Sequence, residues 1–190
     1  MTRIIGGEAR GRRIKAPTGA TTRPTSDRVR EALFSAVDAA VGSLSGLRFL
    51  DLYAGSGAVG LEARSRGAGV VTLVEQDRRT AAVIRENVRT LGVSKVEVLV
   101  SATARALAQP PRAPYDVVFC DPPYALSAPA VEADLAALVD QGWLAHEALV
   151  VVERSSRGPG PAWPAGLAGE RARRYGETTL WYGRATARPT

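Results

Sequence analysis

Short apolar runs that alternate with amphipathic segments constrain the fold of this chain most strongly. From residue 47 onward the β-prone runs are predicted as strands and the segments between them as helices. The predicted strands are 47–52, 70–75, 96–100, 116–120 and 148–152, and the predicted helices are 58–66, 77–91, 103–108 and 129–140. Strands that alternate with helices form a parallel sheet that is covered by helices on both faces. The pattern therefore predicts an α/β fold with a doubly wound, mostly parallel sheet.

Both ends of the chain depart from this alternation. Residues 29–41 carry apolar side chains at helical spacing and predict one further helix. Residues 1–22 alternate short β-prone pieces with glycines, which predicts a small N-terminal β-hairpin. At the other end, 171–175 and 179–182 predict an antiparallel pair of strands. We therefore divide the chain into a basic N-terminal extension, residues 1–22, and one α/β domain, residues 23–190.

The positive charge of the chain is concentrated near its start. Residues 1–30 carry eight basic and two acidic side chains, which equals the net charge of +6 of the whole chain. A basic segment on a neutral body favours a polyanionic partner, because basic groups that neutralise phosphates release counterions. We expect Arg10, Arg12, Arg13 and Lys15 to form one patch, and the three arginines to be solvated. A solvated basic terminus without a partner is the open alternative.

Composition excludes several other classes of protein. The sequence has no apolar run long enough to cross a bilayer, and its start lacks the apolar core of a signal peptide. A single cysteine excludes an internal disulfide and fits a reducing compartment. The only histidine, His146, has no cluster of Cys, Asp or Glu at metal-ligand spacing. We therefore expect a cytoplasmic, monomeric protein that binds no metal.

A glycine-rich loop follows the first strand of the alternation. Gly55, Gly57 and Gly60 match G-x-G-x-x-G between a strand and a helix, and Glu75 ends the next strand. An NAD-type dinucleotide site uses the same loop and is an alternative. Asp51 favours S-adenosylmethionine instead, because its carboxylate would repel a pyrophosphate but attract the ammonium group of that cofactor. The two oxygens of Glu75 can accept hydrogen bonds from two ribose hydroxyls.

The fourth strand of the alternation ends in Asp121-Pro122-Pro123-Tyr124. The lone pair of an exocyclic amine is delocalised into its base, so a methylating site must accept hydrogen bonds from both N–H groups to turn that lone pair toward the methyl group. Asp121 offers a carboxylate and Pro122 a carbonyl oxygen, and the two prolines restrict the backbone that aims them. Tyr124 can stack on the base. The pattern favours amine methylation over a merely stiff turn at a strand end.

These two motifs belong to a longer signature in the first two thirds of the chain. It consists of Arg3-Ile4-Ile5-Gly6-Gly7, Gly11-Arg12, Arg23-Pro24-Thr25-x-Asp27-Arg28-Val29-Arg30-Glu31-x-Leu33-Phe34, Asp51 to Gly57, Val74-Glu75-x-Asp77 and Asp121 to Tyr124. The signature resembles the RsmD family, whose members methylate N2 of a guanine in 16S ribosomal RNA. The resemblance implies a class I S-adenosylmethionine-dependent methyltransferase fold with a seven-stranded sheet, and S-adenosylmethionine as the cofactor. It also implies the guanine-966 activity of the family, with 16S ribosomal RNA or the assembling small ribosomal subunit as the partner.

The same resemblance implies the roles of individual residues. The expected cofactor contacts are Asp51, Tyr53, Gly55, Ser56, Gly57, Glu75, Gln76, Thr103, Ala104, Arg23 and Thr25. The expected catalytic residues are Asp121, Pro122, Pro123 and Tyr124, and the expected RNA contacts are Arg10, Arg12, Arg13, Lys15 and Arg28. Thr103 stands where the family commonly has Asn or Asp, and its hydroxyl can accept one hydrogen bond from an adenine amine.

Three other functions remain open from the sequence. An adenine-N6 nucleic-acid methyltransferase uses the same motif chemistry, and only the N-terminal signature argues against it. A protein-glutamine methyltransferase more often has Asn at position 121, and such a function leaves the basic extension unexplained. A catalytically idle RNA-binding domain on the same fold would not need Asp121 or Glu75.

Overall fold

The predicted alternation folds into one seven-stranded sheet with helices on both faces, as a computed structural model of residues 2–18 and 25–186 shows. The strands are β1 (Thr2–Arg3), β2 (Arg13–Ile14), β3 (Arg48–Leu52), β4 (Val70–Glu75), β5 (Val96–Val100), β6 (Tyr115–Cys120), β7 (Leu144–Ser155), β8 (Leu167–Tyr175) and β9 (Thr178–Ala185). The helices are α1 (Asp27–Val41), α2 (Ala58–Ser65), α3 (Arg78–Leu91), α4 (Thr103–Leu107) and α5 (Ala128–Asp140). None of these helices is both long and apolar enough to cross a lipid bilayer.

The order of strands in the large sheet is β5-β4-β3-β6-β7-β9-β8. The strands from β5 to β7 are parallel, whereas β9 is antiparallel to both of its neighbours, β7 and β8. β1 and β2 form a separate antiparallel pair, which is the predicted N-terminal hairpin. The predicted fold class is therefore confirmed. The strand order reverses between β3 and β6, where open α/β sheets bind their ligands.

Two strands begin earlier than the sequence predicted. β7 begins at Leu144 instead of 148, because Leu144 pairs with Tyr115 beyond an irregularity in the register. β8 begins before 171 although this part of the chain contains glycine, which disfavours strands. The ring of Trp163 lies so close to Gly169 and Gly183 that a β-carbon on either glycine would fall within 2.5–2.6 Å of it. Packing of this ring therefore outweighs the weak strand propensity.

Two apolar cores lie on the two faces of the sheet. The core beneath α1, α2 and α3 includes Leu33, Phe34, Leu61, Ile84, Phe49 and Phe119, and the core beneath α4 and α5 includes Leu107, Leu135, Leu50, Val118 and Val150. Each of these side chains is buried, and burying one contributes about 1.5–3 kcal/mol. Successive buried side chains of β3 and β6 alternate between these two cores, which fixes the face that each polar residue at the strand ends occupies.

The N-terminal extension is docked on α2 and α3. The carboxylate of Glu62 in α2, which is fully buried, accepts hydrogen bonds from the amides of Ile5 (2.8 Å) and Gly6 (2.7 Å). The side-chain amide of Asn87 in α3 accepts from the Lys15 amide (2.8 Å) and donates to the Lys15 carbonyl (2.9 Å). These bonds hold the hairpin against α2 at Ile5 and Gly6 and against α3 at Lys15. The division of the chain at residue 22 stays a prediction.

The glycine pair of the N-terminal signature permits this close approach. Gly7 has a φ of +78°, and a β-carbon there would lie 1.9 Å from the carbonyl oxygen of Ser65. A β-carbon on Gly6 would lie 2.7 Å from the guanidinium group of Arg66. Side chains at these positions would push the extension away from α2, so this part of the signature has a structural role.

Candidate active site

A cavity of about 570 Å³ opens at the carboxyl ends of β3, β4 and β6. Its walls come from the loops after these strands, from Thr2 and residues 16–18 of the N-terminal extension, and from Thr25 just before α1. The volume is within the range of about 300–1,000 Å³ that is usual for small-molecule sites. The docked extension therefore closes a pocket that the sheet alone would leave open.

Most of the residues predicted to contact the cofactor or to be catalytic line this cavity. Those predicted to contact the cofactor are Thr25, Tyr53, Gly55, Ser56, Glu75, Gln76 and Thr103, and those predicted to be catalytic are Asp121 and Pro123. Asp51, Gly57, Ala104, Pro122 and Tyr124 are not among the lining residues. Arg23 lies outside the described residues.

The cavity wall is acidic. Glu75, Asp77 and Asp121 line it, and the lining residues described by the structure include neither lysine nor arginine. Such a wall attracts cationic groups and repels a pyrophosphate. The charge of the cavity therefore argues against the dinucleotide alternative.

The glycine loop fixes the orientation of Glu75. Oε2 of Glu75 accepts a hydrogen bond from the Gly55 amide (3.0 Å), and Oε1 accepts one from the Asp77 amide (2.9 Å). Each oxygen keeps a further lone pair for a ligand. Gly57, at φ +80°, is the N-cap residue of α2, and a β-carbon on it would lie 3.1 Å from Ile84. The positive φ and the contact with Ile84 therefore favour glycine at this position of the loop.

Asp51 lies beneath the glycine loop. It is 1% exposed, and its Oδ2 accepts a hydrogen bond from the Gly60 amide at 2.9 Å. Burial raises the pKa of Asp51 to about 7; the Gly60 amide lowers this pKa and the Glu75 carboxylate raises it. Asp51 therefore ties the first turn of α2 to β3. Direct contact between Asp51 and a cofactor stays a prediction.

Tyr53 joins the glycine loop to α4 and α5. Its hydroxyl donates a hydrogen bond to Oδ2 of Asp134 in α5, and the side chain of Thr103 hydrogen-bonds Tyr53. Burial and the bond to Asp134 raise the pKa of Tyr53, whereas the bond to Thr103 lowers it. The Thr103 hydroxyl thus helps to hold Tyr53, and its predicted contact with an adenine amine stays a prediction.

The loop after β6 is held from the neighbouring strand. Arg154 of β7 donates hydrogen bonds to the carbonyl oxygens of Pro123 (3.3 Å) and Leu126 (3.0 Å). These bonds anchor the chain on the far side of Asp121. Tyr124 is 56% exposed, which leaves its ring free to contact a base.

Asp121 lies in a group of acidic side chains. Burial raises its pKa well above the ordinary value, and the carboxylates of Glu153 and Asp51 raise it further. A hydrogen bond from Thr25 lowers this pKa. Glu153, on β7, is 5% exposed and accepts a hydrogen bond from the Thr25 hydroxyl at 3.1 Å. Three acids thus meet below the cavity, and the Thr25 hydroxyl lies between two of them.

A family model described as "Conserved hypothetical protein 95" matches residues 2–184. "Ribosomal RNA small subunit methyltransferase D" from Escherichia coli strain K12 is 41% identical over 163 residues, which is 86% of this chain and 79% of that protein. The chain belongs to the RsmD family. Among solved structures, yhhF from Escherichia coli is 38% identical with a TM-score of 0.85, covering 98% of this chain and 99% of that one. The hypothetical protein TTHA0928 from Thermus thermophilus is 35% identical with a TM-score of 0.77, covering 96% and 98%.

Membership of the RsmD family confirms the resemblance stated from the sequence. The family model spans the extension and the sheet together, so one match includes both the N-terminal signature and the strand-end motifs. The Asp121 to Tyr124 motif and the glycine loop, which the signature placed at strand ends, lie at one edge of the sheet.

The predicted RNA contacts differ in their surroundings. Arg10, Arg13 and Arg28 are exposed, and their side chains make no hydrogen bond or ion pair with the described residues. Arg12 instead donates to the carbonyl oxygens of Leu91 (2.7 Å) and Thr90, the last residues of α3. Lys15 pairs with Glu86 at 2.6 Å. Arg12 and Lys15 are also exposed, but part of their hydrogen-bonding capacity is used by carbonyl and carboxylate groups of α3. RNA contact by these five residues stays a prediction.

Sequence reasoning missed several residues of this RsmD-family site. They are Asp134, Glu153 and Arg154. Glu153 carried a usable signal, because it is an acid that directly follows an apolar strand run. Asp134 and Arg154 carried none, since a polar residue in a helix or at a strand end is common. Among residues 2–18 and 25–186, no group of His, Cys, Asp and Glu side chains is arranged to hold a metal ion.

Proposed function

We propose that this protein transfers a methyl group from S-adenosylmethionine to the exocyclic N2 amine of a guanine in 16S ribosomal RNA, the guanine-966 activity implied by the family resemblance. The observation that carries the proposal is the placement of Asp121 and Pro123 in one cavity with Glu75. The names of related proteins that act on small-subunit ribosomal RNA support the substrate class. The protein would act during maturation of the small subunit, in the cytoplasm.

The chemical character of the cavity fits S-adenosylmethionine. When bound, this cofactor supplies an electrophilic methyl group on a positively charged sulfur. Glu75, fixed by two backbone amides, offers two oxygens to the ribose hydroxyls. The acidic wall around Glu75 and Asp121 favours the sulfonium and ammonium groups, and the cofactor carries no phosphate to be repelled. Thr103 and Gln76 remain candidates for contact with the adenine.

Asp121 and Pro122 would orient the amine that is methylated. A guanine taken out of its stack can place its amine between the Asp121 carboxylate and the Pro122 carbonyl. Both groups accept hydrogen bonds from N–H, so the nitrogen lone pair turns toward the methyl group. Arg154 fixes the following backbone through Pro123, and Tyr124 can stack on the base.

The exposed cations would hold the RNA away from the reacting base. A single unstacked guanine offers little contact surface, so a large RNA needs phosphate contacts elsewhere. Arg10 and Arg13 of the extension and Arg28 of α1 are exposed cations on elements that bear on the cavity. We assign these three to phosphate contact. Arg12 and Lys15 contribute charge to the same region while they bind α3.

Nucleoside mass spectrometry of ribosomal RNA tests the proposal. A strain that lacks the gene should lose N2-methylguanosine from 16S RNA at one position, and the wild-type gene should restore it while an Asp121→Ala gene should not. Purified protein with S-adenosylmethionine is then offered free 16S RNA or isolated small subunits, which distinguishes the two partners. Loss of N6-methyladenosine instead would favour adenine as the target. An unchanged nucleoside profile would indicate a binding protein without activity.

A further inference from the structure

Two acidic side chains lie side by side where β6 and β7 end. The parallel register pairs Cys120 with Val152, so the residues that follow, Asp121 and Glu153, occupy neighbouring positions on the same face of the sheet. Adjacent strands are about 4.8 Å apart, which brings two carboxyl groups at such positions close together. Asp121 lines the cavity, whereas Glu153 is buried behind it.

Thr25 connects these two carboxyl groups. Its hydroxyl donates to Oε2 of Glu153 at 3.1 Å, and its side chain also hydrogen-bonds Asp121. Thr25 precedes Ser26, the side-chain cap of α1, so the helix start fixes its position. A hydroxyl has one proton to donate and lone pairs to accept with. It can therefore donate to one carboxylate while it accepts from the other once that one is protonated.

Stability alone does not explain why Glu153 is buried. Among the described residues its side chain hydrogen-bonds only the hydroxyls of Thr25 and Thr178. The adjacent cation, Arg154, is bound to carbonyl oxygens of the loop after β6. A buried acid without a basic partner is unfavourable, and such groups are found where their protonation is used. The burial of Glu153 without a basic partner therefore indicates a role in proton transfer.

We propose that Thr25 passes the proton released by methylation from Asp121 to Glu153. The inference rests on the proposed function only in requiring an amine as the methyl acceptor. The nitrogen lone pair forms the new N–C bond while the S–C bond breaks, with its electron pair staying on sulfur. The nitrogen then carries a positive charge and one proton too many. Asp121 takes that proton, and the nitrogen regains its lone pair.

The relay completes the transfer within the protein. Protonated Asp121 donates its proton to the Thr25 oxygen, while the original hydroxyl proton of Thr25 moves to the Glu153 carboxylate. The net result is ionised Asp121, an intact Thr25 hydroxyl and protonated Glu153. Burial raises the pKa of Glu153 to about 6, so at neutral pH it loses this proton to solvent before the next turnover. Thr25 and Glu153 are thus positioning and proton-transfer residues behind the group that contacts the substrate.

The other charged groups near the pair do not replace this path. Asp51 on β3 faces Asp121 and raises its pKa, but it is bound to the Gly60 amide. Arg154 on β7 lowers the pKa of Asp121 and cannot accept a proton. Of these groups, Glu153 accepts the hydrogen bond from the Thr25 hydroxyl, and the Thr25 side chain also hydrogen-bonds Asp121.

The test measures single-turnover methylation between pH 5 and 9 with the substrate RNA that the wild type methylates. Thr25→Val removes the hydroxyl and keeps the shape of the side chain. We expect it to lower the rate at high pH at least about tenfold, which is less than the loss expected on removing a general base itself. We expect a similar loss for Glu153→Gln. Their pH midpoints should move in opposite directions. Loss of the hydroxyl raises the pKa of Asp121, whereas loss of the neighbouring carboxylate lowers it.

Three controls separate the relay from a structural role. Thr25→Ser keeps a hydroxyl and should restore the rate and the pH midpoint. Ser26→Ala removes the cap of α1 and should lower the melting temperature without moving the pH profile. Binding of S-adenosylmethionine, measured by calorimetry, should stay within about twofold of wild type in Glu153→Gln, because Glu153 does not line the cavity.

Wild-type rates at high pH in both Thr25→Val and Glu153→Gln would overturn the relay, even if the wild type methylates guanine as proposed. A wild type that methylates another amine would instead overturn the proposed function, and the same variants would then test the relay on that substrate.

Discussion

Single side chains at the edge of the sheet are held by backbone amides and hydroxyls rather than by opposite charges. Glu75 is bound by two amides, Asp51 by one, and Glu153 by hydroxyls. Uncompensated acids are costly in a cavity without a ligand, and a cationic ligand relieves that cost. The residues therefore set the preference of the site for a positively charged cofactor.

Asp121 should affect the chemical step far more than cofactor binding. Replacing it with Ala removes a fixed acceptor for the amine, so single-turnover methylation should fall at least about a hundredfold, as on losing one preorganised group. Asp121→Asn keeps an acceptor oxygen but cannot take the proton that the amine releases. Its rate should lie between those of the wild type and of Asp121→Ala. Cofactor affinity by calorimetry should fall by much less than the rate, because Glu75 and Asp77 keep the cavity wall acidic. Near-wild-type turnover by Asp121→Ala would refute its role.

Glu75 should instead control cofactor affinity. Glu75→Ala removes the acceptor for the ribose hydroxyls, so S-adenosylmethionine should bind about 1.5–3 kcal/mol more weakly, the scale of charge-assisted hydrogen bonds. Glu75→Gln, which keeps one acceptor oxygen, is the matched comparison and should lose less. Unchanged affinity of Glu75→Ala in calorimetry, or tight NAD binding by the wild type, would show that the cavity holds a different ligand.

At the scale of elements, the N-terminal extension is a wall of the active site. It is joined to α2 through Glu62 and to α3 through Asn87, and its residues Ala16 and Pro17 line the cavity. The extension therefore carries the basic side chains and also forms part of the cavity wall. Changes in its docking should be visible in both stability and cofactor binding.

Glu62→Ala tests this link. It leaves the amides of Ile5 and Gly6 and the guanidinium of Arg66 without their shared acceptor, and breaking a buried ion pair costs about 3–5 kcal/mol. Thermal and urea unfolding should show the loss, and calorimetry should show weaker cofactor binding because one wall of the cavity is released. Glu86→Ala removes only the exposed partner of Lys15 and should change both properties little. Cofactor binding unaffected in Glu62→Ala would separate the extension from the pocket.

At the scale of the whole molecule, charge is divided between an acidic cavity and basic surroundings. The buried acids below the cavity have raised pKa values, and the extension and α1 carry exposed arginines. This division fits the proposed binding of a cationic cofactor and a polyanionic RNA at neighbouring places.

The buried acids predict how stability depends on pH. Folding raises the pKa of Asp51 to about 7 and that of Glu153 to about 6, so between pH 4 and 7 the folded state holds more protons than the unfolded chain. Their contribution is present at low pH and is lost as pH rises through these values. Urea unfolding should give a smaller free energy at pH 8 than at pH 5, with a shallower fall in Asp51→Asn. A free energy that rises over this range would contradict the assignment.

The exposed arginines should set the salt dependence of RNA binding. The double variant Arg10→Ala, Arg13→Ala should raise the Kd for RNA and flatten the slope of log K against log salt by roughly 1.5–2 units, since each phosphate contact adds just under one. Its melting temperature should stay near wild type, whereas Arg12→Ala should lower it through the lost bonds to α3. The matched control is the double variant Arg105→Ala, Arg112→Ala. It removes the same amount of positive charge as the first variant, but from positions outside the extension. An unchanged slope in the first variant would place the RNA elsewhere.

The sequence by itself determined the class of fold and the two motifs at the strand ends. Apolar periodicity is a local property, and it located every helix to within about two residues. The backbone conformations that Gly55, Gly57 and the two prolines favour are local properties as well, so these motifs could be recognised without a structure. The same holds for the charge of the first thirty residues.

Only the tertiary structure decided which distant residues meet. Thr25 and Glu153 are separated by 128 positions, and their contact depends on the register of β7 beside β6 and on where α1 begins. The insertion of β9 between β7 and β8, and the docking of Arg12 on α3, likewise depend on packing across the sheet and its helices. Burial and neighbouring charge set the proton affinity of Asp121 and Glu153, and both are properties of the folded surroundings rather than of the residues themselves.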